Sequence, residues 1–338
     1  MNYSHDLMLR MAHKYLARAG LKAGEKVLIV CEPPSDMELA GALFEAAHQK
    51  GAAPILSVLP YRGIQNIDVP PHLGEAMKAA DLVIPLIPYE SADFYTQTCL
   101  EMLNGGTRVL GTMSATSDMV HDMIYEADFT LTDSICIVLE EIISQAQEVH
   151  ITSAGGTDIR AKLGGRPVQT NPGKAEHPHD EAYIPAGVVG QAPLEDTWNG
   201  TVVFDAFAYP VGILREPITL VISNGRIEKF SGGVQAKEFE TWFAGRDDPN
   251  IYRTCHYGFG INPAIRQLSE LKFLNERMYG VFDIGFGTND LPCFGGVIRA
   301  NGHTDGLMTK ATVKYDDIEV MRDGNFVHPK LVRLFERK

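Results

Sequence analysis

Several things are scarce or missing in this sequence, and each absence removes a class of function. Cysteine is sparse: five residues, Cys31, Cys99, Cys136, Cys255 and Cys293, in 338. Their number is odd, their spacing is wide and no CxxC occurs, so neither a disulfide framework nor a zinc-finger pattern fits. Free thiols in a reducing, cytoplasmic compartment are expected instead. Basic charge is also short, with 30 Lys and Arg against 43 Asp and Glu and a net charge of -13. Nucleic acid and anionic membrane call for basic patches, and this balance speaks against both as partners. No stretch approaches the roughly 18 apolar residues of a membrane helix. The opening "MNYSHDLMLRMAHKYL" lacks a basic n-region before an apolar run and reads as an amphipathic helix, not a signal peptide. There is no GxGxxG, no GxxxxGK[ST] and no GxSxG. Dinucleotide, P-loop and serine-hydrolase readings therefore lack the residues their chemistry needs.

What is present organises into two halves. At roughly 150 residues per domain, the length implies about two domains. In the first half, short continuous apolar runs alternate with helical patterns. "KVLIVCE", "APILSVL", "DLVIPLI" and "RVLGTM" read as strands buried on both faces, and "DMELAGALFEAAHQKG" as a helix closed by Gly51. "SADFYTQTCLEMLNGG" reads as a helix with a Ser N-cap and a Gly-Gly stop, and 117–126 and 131–146 read as further helices. The fold class that follows is α/β, with an N-terminal doubly wound parallel sheet over 1–146. The strand ends at Glu32-Pro33-Pro34-Ser35 and Pro88-Tyr89-Glu90 fall where such sheets bind ligands, though proline-rich loops are common there without any ligand. From about residue 147 the texture changes to alternating segments with turns at Asn224-Gly225 and Asp323-Gly324. A mostly antiparallel β (α+β) domain over 147–338 is expected, with a helix around 263–273.

Chemistry concentrates in the second half. "NGHTDG" places His303 and Asp305 two residues apart, so in an extended segment both project from one face. A single HxD is weak by itself. "HYGFGIN" (256–262) and "DIGFGTN" (283–289) share the pattern [H/D]-x-G-F-G-x-N, which gives His256 and Asp283 equivalent positions on two neighbouring strands. His256, His303 and Asp305 then make two imidazoles and one carboxylate. That set suits the facial triad of non-haem Fe(II) oxygenases, which leaves positions open for O₂ and a chelating substrate, and equally suits catalytic zinc. Acid–base candidates are His177 and His179 in "EHPHDE", Glu195 in "LEDTWNG", and Asp283. The first two sit in a loop-like stretch that reads as a solvated segment or a lid. Tyr257 or Phe259 is a candidate wall for ring stacking. Cys255 precedes His256 directly; strand neighbours point to opposite faces, which argues against a Cys–His pair.

Most of the chain resembles the aminopeptidase T-like superfamily of metallopeptidases, most specifically in "AGGTDIRAKLGGRP", "YIPAGVVGQAPLEDTWNGTVVFD", "REPITLVISNGRIEKFSGG" and "NGHTDGLM". The resemblance also shows departures. Val188 stands where such peptidases carry a glutamate, His256 where they carry a second glutamate ligand, and Asp283 where they carry a histidine ligand. A two-metal hydrolytic centre needs its bridging carboxylates. One branch matches better: the 2,5-dihydroxypyridine 5,6-dioxygenases have Asp-Pro-x-x-Tyr-x-x-x-His-x-Gly-x-Gly, matched from Asp248 to Gly260, and a late His-x-Asp, matched by His303 and Asp305. This resemblance implies Fe(II) held by His256, His303 and Asp305, a small aromatic substrate with O₂, and ring cleavage. A cytoplasmic homo-oligomer is expected. A metal-dependent aminopeptidase-like hydrolase is the alternative, and an oligomeric binding protein without catalysis a third reading.

Overall fold

The structure is a computed structural model and describes residues 3–63, 67–88, 91, 96–291 and 293–336. It divides into two compact units: Met1–Asp128 with Asn171–Ala186, and Phe129–Thr170 with Gly187–Lys338.

The first unit is built on a five-stranded parallel sheet. Its order is Ala53–Val58, Lys26–Cys31, Leu82–Leu86, Arg108–Gly111, Glu181–Tyr183. Strands Lys26–Cys31 and Leu82–Leu86 are buried almost throughout, as expected where helices cover both faces. Helix His5–Arg18 is capped by Ser4 and buries Met8, Met11, Ala12, Tyr15 and Leu16, one stripe at helical spacing. Asp36 caps Met37–Gln49 and also accepts from the Ser117 backbone N–H; such a cap is worth about 1 kcal/mol. The doubly wound reading of this half is borne out. Its last strand comes from residues 181–183, beyond the expected boundary, because three residues carry too little pattern to read as a strand. The expected Ser91 cap is replaced by Thr96, which caps Gln97–Asn104. The Ser91 hydroxyl instead reaches the buried Glu32 carboxylate, which also pairs with Arg62. Tyr89, Glu90 and residues 92–95 lie outside the described residues.

The second unit holds two antiparallel sheets and the helix Phe129–Gln145, whose Leu131, Ile135, Leu139 and Ile143 join their core. The eight-stranded sheet alternates, as in the eBeBe burial of Asp158–Lys162. Its hairpins turn where expected: Asn224 (φ 49°) and Gly225 (φ 72°), and Asp323 (φ 48°) and Gly324 (φ 78°), take the left-handed backbone of a type I′ turn. The seven-stranded sheet does not alternate. Its central strands Thr254–Gly260, Val281–Gly287 and His303–Thr309 are buried on both faces. Tyr257, Phe259, Phe282 and Phe286 line the face toward the other sheet, where the Tyr257 and Tyr315 hydroxyls bond at 2.9 Å and Phe204 meets Phe286 edge-on. Gly306 leaves room for the Phe204 ring. The helix expected around 263–273 is a correction: only Lys272–Asn275 is helical. Asn262 Oδ1 takes the Ala264 N–H, and Asn275 clasps Ser269 through backbone and side chain, so these residues form turns instead.

Candidate metal centre

The three buried strands meet in register so that His256, Gly285 and Asp305 form one row across the sheet. Adjacent strands lie about 4.8 Å apart, so the two outer backbones of such a row are nearly 10 Å apart. The middle position has no side chain, and the outer two close over it. A Cβ on Gly285 would stand 2.7 Å from Asp305 Oδ1 and nearer still to His256 Nε2. His303, two residues before Asp305 on the same face, completes the group. His256 Nε2 lies 3.1 Å from His303 Nε2 and 3.0 Å from Asp305 Oδ1, and His303 Nε2 lies 3.2 Å from that same oxygen. Donors about 2.1 Å from a common ion are about 3.0 Å apart at right angles and about 3.4 Å apart in a tetrahedron. The triangle suits one face of an octahedron.

The two related motifs explain this arrangement. "HYGFGIN" and "DIGFGTN" lie antiparallel, so that His256 of the first faces Gly285 of the second and Asp283 of the second faces Gly258 of the first. Each donor therefore leans over the other strand's glycine; a Cβ at Gly258 would lie 3.2 Å from Asp283 Cγ. The closing asparagines also match: Asn262 Oδ1 takes the Ala264 N–H and Asn289 Oδ1 the Ile298 N–H, each fixing the loop after its strand.

Surrounding groups orient these side chains. His303 Nδ1 faces the Thr288 carbonyl at 3.3 Å; a carbonyl only accepts, so Nδ1 carries the proton and Nε2 offers its lone pair. His256 stacks between His303 and Phe294, with ring centroids 5.0 Å away on either side. Asp305 Oδ2 pairs with Lys272 Nζ at 2.7 Å, and Lys272 also pairs with Glu276, which Arg277 holds in turn. Burial pushes the Asp305 carboxyl up, but Lys272 and His303 outweigh it and hold it well below the carboxylate range. Burial pushes the His256 imidazole down, and Asp305 more than reverses this. Asp283 Oδ1 receives no hydrogen bond, and burial raises its carboxyl to about 7.

The expected site residues separate. His256, Asp283 and Asp305 bring donor atoms within 4.8 Å of one another, as do Cys255, His256 and His303. Glu195 instead takes two bonds from Arg166, at 2.7 and 2.6 Å, together with the Val297 N–H and Asn289 Nδ2. Burial works against its ionisation, but Arg166 leads the groups that hold it down at about 2, so it stays ionised and anchors the loop bearing Phe294. His177 and His179 fall in the first unit, in the turn before Glu181–Tyr183. The His177 N–H bonds Asp180, and His179 Nδ1 reaches the Leu103 carbonyl at 2.7 Å. Tyr257 and Phe259 are no wall for a ring: they project from the face opposite His256 into the core. Phe294 stacks on the imidazole instead. Cys255, expected to point away from the histidines, does not do so. A bulge between Thr254 and His256 breaks the alternation and brings its sulfur 3.7 Å from His303 Nδ1. Burial raises this thiol well above its ordinary range, so it stays protonated and is a poor nucleophile. Lys272, Thr288 and Phe294 carried no signal in the sequence.

Comparison with known proteins places this arrangement. AmpT from Thermus thermophilus superposes with a TM-score of 0.65 at 15% identity, over 96% of this chain and all of that one. The chain shares that fold, and its clustered donors could hold a metal ion. A family profile for 2,5-dihydroxypyridine 5,6-dioxygenase (NicX) matches residues 7–328. The 2,5-dihydroxypyridine 5,6-dioxygenase of Pseudomonas putida KT2440 is 25% identical over 98% of this chain and 99% of its own. A solved structure of that dioxygenase superposes with a TM-score of 0.86 at 23% identity, covering 98% of this chain and 99% of the other. The chain belongs to the 2,5-dihydroxypyridine 5,6-dioxygenase family, and it is a dioxygenase, an oxidoreductase that incorporates O₂. No helix among the described residues is long and apolar enough to cross a membrane.

Proposed function

We propose that this chain is a mononuclear Fe(II) ring-cleaving dioxygenase whose substrate is 2,5-dihydroxypyridine or a close hydroxylated pyridine, with His256, His303 and Asp305 holding the iron. The observation that carries this reading is the triangle of His256 Nε2, His303 Nε2 and Asp305 Oδ1, with edges of 3.0–3.2 Å, in a member of this family. Two neutral imidazoles and one carboxylate are the donor set of non-haem Fe(II) oxygenases. Bound Fe(II) would supply the electronic link between an electron-rich ring and O₂.

The protein's own groups do the rest. Thr288 fixes the His303 tautomer, Phe294 holds the His256 ring plane, and Lys272 turns Asp305 so that Oδ1 faces the imidazoles. Burial of all three donors keeps bulk water from the centre. Asp283, with a carboxylate oxygen within 4.8 Å of the His256 and Asp305 donors, is the group we assign to take the proton of a substrate hydroxyl. Val188, on a strand beside Thr254–Gly260, supplies no bridging carboxylate, which favours oxygen chemistry over hydrolysis. A cytoplasmic location agrees with the five free cysteines. A homo-oligomer is part of the proposal, and sedimentation analysis checks it.

The test loads the apoprotein anaerobically with Fe(II), adds 2,5-dihydroxypyridine and follows O₂. Stoichiometric uptake is expected. No uptake with any hydroxypyridine, alongside peptide cleavage with Zn²⁺ or Co²⁺, overturns the proposal in favour of an aminopeptidase-like hydrolase.

A further inference from the structure

Asp305 uses its two oxygens differently. Oδ1 faces the imidazoles, and Oδ2 is held by Lys272 Nζ at 2.7 Å. Lys272 and its partner Asp305 are buried, and the side chain of its second partner, Glu276, is 11% exposed. An ammonium in such surroundings persists only where carboxylates compensate it. A third carboxylate, Asp283, stands within 4.8 Å of Asp305 and is 4% exposed, and its Oδ1 has no hydrogen-bond partner. Asp305 and Glu276 thus face one cation, and Asp283 stands beside Asp305, a set of oxygen donors of the kind that hard divalent ions favour. The cation here is part of the chain. Its carrier is tightly fixed: Asn275, at the end of the Lys272–Asn275 helix, takes the Ser269 N–H at 2.8 Å and donates to the Ser269 carbonyl at 2.7 Å.

We propose that the Lys272 ammonium serves this centre as a built-in second cation: it restricts Asp305 to one oxygen beside the imidazoles and excludes a second divalent ion from the Asp283–Asp305–Glu276 carboxylates. The inference rests on the proposed one-metal site and adds what keeps it at one. Lys272 acts through Asp305, so it is a positioning residue. An ion pair of purely structural value would change stability on removal and leave metal stoichiometry at one.

The experiment titrates Mn²⁺ into the full-length apoprotein and records stoichiometry and electron paramagnetic resonance. The wild type is expected to bind one ion with the spectrum of an isolated Mn²⁺. Lys272→Ala empties the ammonium position, and two ions with an exchange-coupled spectrum are expected. Lys272→Arg keeps the charge and should return one uncoupled ion. Lys272→Ser gives the same readout as the alanine variant should that variant not fold. One uncoupled ion of wild-type affinity in both small-residue variants overturns the proposal, as does loss of all Mn²⁺ from a folded variant. A wild type that binds no ion or two contradicts the one-metal reading itself, so the two failures are distinguishable.

Discussion

Gly285 is where the smallest change should do most damage to the centre and least to the fold. Its Cα lies in the row between His256 and Asp305, and a Cβ there would stand 2.7 Å from Asp305 Oδ1, where ordinary contact begins at 3.4 Å. Gly285→Ala therefore creates an overlap of about 0.7 Å with the carboxylate and a larger one with His256 Nε2. Both side chains must swing away, which displaces two of the three donors proposed for the metal. Disturbing a group that merely orients a ligand costs 10–100-fold in metal affinity. Moving two ligands should cost at least the upper end of that range, about 2.7 kcal/mol or more. Overpacking costs the fold about 1–3 kcal/mol, well short of unfolding a chain with a core of this size. Competitive chelator titration measures the affinity and circular dichroism the fold. Gly258→Ala, whose Cβ has Asp283 atoms as its three nearest neighbours, is the control and should retain metal. Wild-type affinity in folded Gly285→Ala would refute the convergence of His256 and Asp305 over this residue.

Other expectations follow from neighbouring contacts. Asp305→Asn should lower metal affinity and kcat by at least a hundredfold, read from metal content and O₂ uptake, because the amide gives Lys272 and the imidazoles no charge to gather around. Glu195→Gln leaves Arg166 without its counter-charge in a largely buried pair and should cost about 2–3 kcal/mol in urea unfolding. The Glu195 carboxyl is depressed to about 2 from 4.5, so its stabilisation is complete above about pH 4.5 and is lost as the pH falls toward 2. The variant should therefore show a flatter stability–pH curve in that window. Cys255→Ser should keep more than half of the wild-type activity, because the thiol faces His303 Nδ1, the ring nitrogen turned away from the triangle of Nε2 and Oδ1 atoms; loss of metal from this variant would show otherwise.

Local pattern carried the parts of this account that depend on local pattern. Apolar runs spaced by helices gave the parallel sheet, and Asn-Gly and Asp-Gly gave their hairpins, because backbone preference at two residues decides the turn. The kinship of "HYGFGIN" and "DIGFGTN" pointed to paired strands, and the structure pairs them, bringing His256 and Asp283 beside His303 and Asp305 of the adjoining strand. What escaped depends on register and long-range packing. The row His256–Gly285–Asp305 needs a third strand aligned from 20 residues further on. The bulge that turns Cys255 toward His303 is a one-residue irregularity with no sequence mark. Lys272 lies in a segment read as an ordinary helix, and only the fold brings its ammonium to Asp305. Glu195 looked like an acid beside a turn; Arg166, 29 residues earlier, makes it an anchor.

The most direct test of the central claim is mass spectrometry of the product formed from 2,5-dihydroxypyridine by the Fe(II)-loaded enzyme under ¹⁸O₂. Ring cleavage dependent on an iron held by His256, His303 and Asp305 predicts a ring-opened product carrying both labelled atoms, and none from the Asp305→Asn variant. An unlabelled product, or one in which both new oxygens come from water, would contradict it.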